Sequence, residues 1–260
     1  MKPKNVYILI TIVITMYLPI ACSKRVDGNN PPISSNLTAP TEAIADADRL
    51  FKEREDIEKL KNAVATLEKA RSGGQNFEVE WKLAKYSYFL GKQTKDRAES
   101  DKLFESGRDA GKIAMRLDPG KPDGHFWYAA NLGELARNNP VTVGFGSIGD
   151  VQNAMNKVIE LQPNYQNASA YDALGQIEYA MRLTSGDLNK AVEFYKKGIE
   201  VDKDNANLYL HLAEAYIALK RPAEAKQKLD ELLKLKANPD YALEHRETVA
   251  KAKKLLETSL

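Results

Sequence analysis

Four short segment endings recur along this chain and narrow what it can fold into. They are Arg116-Leu117-Asp118-Pro119, Glu160-Leu161-Gln162-Pro163, Glu200-Val201-Asp202-Lys203 and a looser Lys236-Ala237-Asn238-Pro239, set 44, 40 and 36 residues apart. Each closes a stretch in which apolar residues fall three and four apart among Ala, Leu, Glu and Lys, with few β-branched runs. That is the period and composition of amphipathic helices. A period of this size means one supersecondary unit stacked on copies of itself, because a single copy cannot bury its own apolar face. From Thr41 onward the chain therefore predicts an all-α stack of helical hairpins.

The periods are somewhat longer than the roughly 34 residues of a tetratricopeptide repeat, which the copies resemble. In the C-terminal copy Tyr209, Leu212, Ala213, Tyr216, Ala225 and Leu229 fall on that pattern's positions. The copy before it has Tyr171, Leu174, Gly175, Ala191 and Tyr195, with extra residues in its turn around Thr184-Ser185-Gly186-Asp187. Leu132-Gly133 and Ala136, then Val151, Met155, Val158 and Pro163, mark a third copy with an extended loop between its helices. Trp81, Ala84 and Tyr88, then Gly107, Gly111 and Ala114, mark a fourth, whose linking turn is expected to be about ten residues longer than the family pattern. A degenerate first copy is expected at Ala47, Leu50, Phe51, Ala63, Leu67 and Ala70. The expected fold is a tetratricopeptide-like helical-hairpin solenoid of four to five repeats over residues 41–260. Tyr241 to Leu256 would be a terminal capping helix, polar on its outer face.

The first forty residues are of another kind. A basic start with Lys2 and Lys4 leads into an apolar run from Val6 to Ala21 and then to Cys22, the one cysteine of the chain. A charged start, an apolar stretch and a small residue at the cut make a secretory signal. With the cysteine directly after Ala21 the segment resembles the lipobox of bacterial lipoproteins. That resemblance implies a signal peptide at 1–21, acylation of Cys22, and a lipid-anchored protein. Three acyl chains would exceed the two signals that stable anchoring needs. The alternatives are an uncleaved membrane helix and an ordinary signal peptide with an accidental cysteine. Residues 22–40, rich in Pro, Asn and Ser, are expected to be a flexible linker. Ser23, in place of the aspartate associated with inner-membrane retention, points by the same resemblance to the periplasmic face of the outer membrane.

The chain has 38 Lys+Arg and 36 Asp+Glu. Without Lys2 and Lys4 the two are equal, so no charge excess marks a nucleic-acid partner or an anionic bilayer. One cysteine excludes an intramolecular disulfide. His125, His211 and His245 lie apart without metal-ligand spacing, and no nucleophile elbow is present, so no enzyme activity, cofactor or metal is expected. Gly144-x-Gly146-x-x-Gly149 matches a dinucleotide fingerprint in form. It lacks the strand and crossover unit that give the motif its meaning, and is read as an extended inter-helix loop carrying Val141, Val143, Phe145 and Ile148.

Two further resemblances rest on the irregular copies. Trp81-Lys82-Leu83-Ala84-Lys85-Tyr86-Ser87-Tyr88, the ending Asp118-Pro119, and Gly124-His125-Phe126-Trp127-Tyr128-Ala129-Ala130-Asn131-Leu132-Gly133 resemble the T component associated with TRAP-type transporters. The same Trp-Tyr-Ala core with its Asn-Pro or Gln-Pro ending is similar to the eukaryotic regulator-of-microtubule-dynamics proteins. Both cover roughly residues 45–240. The first implies an accessory partner of a periplasmic substrate-binding protein, with helix pairs around an apolar channel and assembly into trimers.

In the repeat register the second, fifth, ninth and twelfth positions of each first helix line the concave face. They are Val79, Lys82, Tyr86 and Phe89; Trp127, Ala130, Glu134 and Arg137; Ser169, Asp172, Gln176 and Tyr179; and Asn207, Leu210, Glu214 and Ile217. Val79, Tyr86, Phe89, Trp127, Ala130, Glu134 and Tyr179 are the candidate binding residues, forming an apolar groove with a few polar groups. The competing reading is that the same rings pack between helices. Two functions follow: a lipid-anchored adaptor holding an apolar ligand or partner segment for a transport system, or a protein–protein scaffold in envelope assembly with no small ligand.

Overall fold

A computed structural model describes residues 40–259. The expected signal peptide, Cys22 and the linker to residue 39 lie outside the described residues. Among the described residues the structure is all helical, five antiparallel hairpins followed by one further helix. The hairpins are α1 (Pro40–Lys52) with α2 (Ile57–Arg71), α3 (Phe77–Gln93) with α4 (Arg97–Leu117), and α5 (Pro122–Asn138) with α6 (Phe145–Leu161). They continue with α7 (Ser169–Ala180) and α8 (Leu188–Val201), then α9 (Ala206–Ala218) and α10 (Pro222–Leu232). The terminal helix is α11 (Ala242–Ser259).

Helix ends follow local chemistry. Asp56, Asn76, Asp96, Asp187 and Asn205 cap α2, α3, α4, α8 and α9 by accepting backbone N–H groups of the first turn. Proline opens α5 and α10, where its missing N–H is not needed. The degenerate first copy is a full hairpin, with Ala47, Leu60, Ala63 and Leu67 fully enclosed.

Two irregular loops expected from sequence are in fact helix. The extra residues of the copy that begins at Trp81 lengthen its helices to 17 and 21 residues, and the α3–α4 turn is only Thr94 to Asp96. Ser100 closes it by donating its hydroxyl to the Gly91 carbonyl at 2.8 Å. In the third copy Pro140–Gly144 forms a π-helical turn that runs directly into α6. Propagation adds one backbone hydrogen bond for each residue fixed, so extra residues beside an existing helix extend it.

The first helices of hairpins one to three lie side by side, as do those of hairpins four and five with α11. Two cores follow these groups with α7 shared between them, an aromatic one running from α1 into α7 and one rich in Ala and Leu from the α6–α7 turn to α11. Between the groups Gln166, Asn167 and Ala168 hold left-handed backbone conformations. Three such residues in succession are costly for non-glycine side chains. Asn205 Nδ2 donates to the Asn167 carbonyl at 2.7 Å and helps hold the turn.

Candidate functional site

Polar contacts link successive first helices. Asp48 of α1 accepts from Lys82 Nζ at 2.6 Å and from the Tyr86 hydroxyl of α3. The fully buried Asn131 of α5 donates to the Ala84 carbonyl of α3 at 3.0 Å. Lys92 meets Glu134 at 3.1 Å. Farther along, Asp172 of α7 holds His211 Nδ1 of α9 at 2.7 Å, and Thr248 of α11 donates to Asn207 at 2.6 Å. Burial acts to lower the His211 pKa, but Asp172 and Glu214 outweigh it and the pKa lies above the ordinary imidazole value.

The arc is then closed across its inner side. Arg54, in the α1–α2 turn, forms a forked pair with Glu244 of α11 at 3.0–3.2 Å and donates to the Asp240 carbonyl at 2.7 Å. Arg246 reaches Glu55 at 3.2 Å. The Tyr241 hydroxyl donates to Gln166 Oε1 at 2.8 Å. The α10–α11 connection is thus a strap joining the first hairpin to the α6–α7 turn. The capping helix was legible in sequence; this crossing was not.

Beneath the strap lies a continuous aromatic cluster. Phe51 stacks on Tyr86 with centroids 4.2 Å apart, Phe89 meets Phe51 edge-on, and Trp127 packs between Tyr88, Phe89 and Phe126. Lys85 Nζ sits 5.0 Å from the Phe51 ring centre and 5.7 Å from that of Trp127. Arg54 lies over Phe51 and Phe89. Among the described residues no acid lies within ion-pairing distance of Lys85, whereas Lys82 pairs with Asp48 and Glu78. Burial, then the charges of Arg54 and Lys82, push the Lys85 pKa down to about 8, against a smaller opposing pull from Asp48 and Asp240.

The sequence-derived groove is therefore corrected in part. Val79, Tyr86 and Trp127 are 1%, 3% and 3% exposed and belong to the core. Phe89 and Ala130 are half-buried against that core. Glu134 is held by Lys92 and Arg137. Tyr179 stands apart, packed on the second core with the Arg182 guanidinium over its ring. The structure brings Tyr86, Phe89 and Trp127 together as a packed seam. The reason is that adjacent first helices pack against one another and close over the rings. Of the apolar side chains in the Val141–Ile148 segment, Val143 packs against the first core and Ile148 is half-buried, while Val141 and Phe145 are exposed. His125 packs at the start of α5, its Nε2 3.0 Å from the Pro119 carbonyl. Among the described residues no cluster of metal-ligating groups is present. Sequence reasoning missed Lys85, and the one available signal was a second lysine three residues after Lys82 on an otherwise aromatic helix.

The match to the family described as regulator of microtubule dynamics protein 1-3 runs over residues 43–259, which is the five hairpins and α11 together. This chain belongs to that family. It is 22% identical to "Regulator of microtubule dynamics protein 1" of Caenorhabditis elegans, over 75% of this chain and 91% of that protein. Among solved structures it is similar to the tetratricopeptide-repeat protein TTC0263 of Thermus thermophilus, at a TM-score of 0.62 and 19% identity over 84% of this chain and all of that one. It is also similar to PilF of Pseudomonas aeruginosa, at a TM-score of 0.55 and 15% identity over 84% and 92% of the two chains. These structures share the helical-hairpin fold. Of the two resemblances seen in the irregular copies, the regulator-of-microtubule-dynamics one is the one the family match supports.

Proposed function

We propose that this member of the family is a protein-binding helical scaffold that takes an acidic, extended segment of a partner on its inner face, against Lys85. The observation that carries this is a partly buried ammonium, unpaired among the described residues and set between two aromatic rings, beneath a strap of the chain's own residues that includes Asp240 and leads to Glu244 of α11. A buried charge without a partner costs stability, and such costs concentrate where function needs them. A carboxylate-bearing segment would complete Lys85, while the flanking rings provide apolar contact. The scaffold reading is favoured over an apolar carrier for a transport system, because the rings expected to line an apolar groove pack against each other. Attachment to a membrane through an acylated Cys22 belongs to the same proposal, and a mass shift of the mature chain corresponding to acyl groups would support it.

The test is fluorescence anisotropy with labelled peptides of alternating acidic and apolar residues, compared with lysine-substituted counterparts. Acidic peptides should bind. Glu244→Lys, which releases the strap, should tighten binding several-fold, and Lys85→Glu should abolish it. Equal binding of acidic and basic peptides, or undiminished binding by Lys85→Glu, would sink the proposal.

A further inference from the structure

In a stack of antiparallel hairpins every turn within a hairpin falls on one edge and every connection between hairpins on the other. Side-chain bonds join the turn edge across hairpins one to three. Gln93 at the end of α3 donates to the Arg54 carbonyl, and Asn138 and Asn139 at the end of α5 both donate to Asp101 of α4. On this edge the turns of hairpins three and four carry Val141, Phe145 and Leu183, which are 83%, 66% and 88% exposed. Val141 and Phe145 stand four residues apart in the continuous π- and α-helical segment, so they share a face.

Four cations lie in the turns of hairpins two, four and five. Lys95 and Arg97 lie at the neighbouring α3–α4 turn, Arg182 directly precedes Leu183, and Lys220 follows in the α9–α10 turn. Among the described residues none of these four has an acid within ion-pairing distance, although Arg97 approaches Asn139 at 3.5 Å. Acids share this edge, each holding a partner of its own. Asp96 and Asp187 cap α4 and α8, and Glu224 pairs with Arg221. Exposed Glu99 and Asp150 lie farther along the second helices. The acidic α1–α2 turn is tied up with the terminal helix through Arg246–Glu55.

We infer that the turn edge of hairpins two to five docks on an anionic phospholipid surface, with Val141, Phe145 and Leu183 entering the interface and Lys95, Arg97, Arg182 and Lys220 facing the headgroups. Exposed apolar side chains on turns that carry cations without an acid partner, one of them (Arg182) resting on Tyr179, suit the charged, amphipathic boundary of a bilayer, where each basic residue near the surface adds attraction. A protein partner would more usually cover a contiguous apolar patch, whereas here single apolar side chains stand on separate turns. The chain preceding α1 permits the approach. α1 begins on the opposite edge, and residues 22–39 could extend to about 60 Å, more than the roughly 30 Å length of the longest helix here. Two of the three readings of residues 1–22 also place a bilayer at that end.

The test is co-sedimentation of the fragment 37–260, which forms one compact unit containing both cores. The full chain is unsuitable because its apolar run from Val6 to Ala21 could enter vesicles by itself. The fragment should sediment with vesicles of phosphatidylcholine containing phosphatidylserine and stay in solution with phosphatidylcholine alone, and salt should weaken binding. The triple variant Val141→Ser, Phe145→Ser, Leu183→Ser should bind at least tenfold more weakly, with an unchanged melting curve. A Lys95→Glu, Arg97→Glu, Arg182→Glu variant should lose binding altogether. No binding to the charged vesicles, equal binding to neutral ones, or full binding by either variant overturns the inference. So does capture of an acidic protein by this edge without any vesicle binding.

Discussion

The three N-terminal hairpins and the two C-terminal ones solve the same packing problem with different materials. In the C-terminal group α7 to α10 are 11–14 residues long, and their core is mostly Ala and Leu with Tyr195, Tyr209 and Tyr216. Small residues admit the neighbouring helix and large ones fill the space between. The N-terminal group uses the longer α3 and α4 and a run of stacked rings. It also buries groups that ordinary cores avoid: Asn131, the Glu80–Arg71 pair at 2.9 Å, and, less deeply, Lys85. Burial raises the Glu80 pKa against the opposing pull of Arg71. The regular half buries the Asp172–His211 pair, Asn205 and Thr248; the irregular half holds more of the costly groups and with them the candidate site.

Truncating the aromatic seam should have the largest effect. Trp127→Ala is expected to cost about 3–5 kcal/mol, more than Leu229→Ala in the regular half. Urea denaturation of both variants checks this, and a larger loss at Leu229 would break the contrast. Lys85→Met should act in the opposite direction, stabilising the fold at neutral pH by on the order of 2 kcal/mol once solvent screening is allowed for. Because the folded pKa is lowered, the wild type should gain stability as pH rises from about 8 towards the ordinary lysine value, so the difference between the two chains should shrink over that interval. A destabilised Lys85→Met would remove the argument that this lysine is retained for function.

Close helix contacts sharpen the comparison further. A Cβ at Gly111 would meet the Tyr128 backbone nitrogen at 2.6 Å, whereas one at Gly198 would meet the ends of the Leu208 side chain. Backbone cannot yield as a side-chain tip can. Gly111→Ala should therefore cost about 1–3 kcal/mol and Gly198→Ala less, as read from their thermal midpoints. The smallest effect is expected at His211. Its raised pKa means that the stability from pairing with Asp172, near Glu214 and Lys251, is fully present below the unfolded pKa of about 6.5. It is lost as pH rises through the folded value. The urea midpoint difference between wild type and His211→Asn should thus narrow on going from acid to alkaline pH, by about 1 kcal/mol in stability, and a widening gap would refute the pairing.

Periodicity alone determined the all-helical architecture, the hairpin order and most of the enclosed residues, including Ala47, Leu67, Leu174, Ala213 and Leu229. A 3.6-residue helix with small and large side chains at fixed offsets has few ways to bury its face. It also marked α11 as a cap through Val249, Leu255 and Leu256, which pack on the second core. What a single-helix pattern cannot carry is how far a helix runs or what crosses it. Extra residues expected as loops became helical turns in α3, α4 and the Pro140–Gly144 segment, because elongation of an existing helix is favourable. Tertiary structure alone decided that Tyr86 and Trp127 close into a seam, that Lys85 remains unpaired beside them, and that Arg54 meets Glu244 across 190 residues of chain. Such contacts depend on the accumulated rotation of all five hairpins, and no local stretch of sequence records that sum.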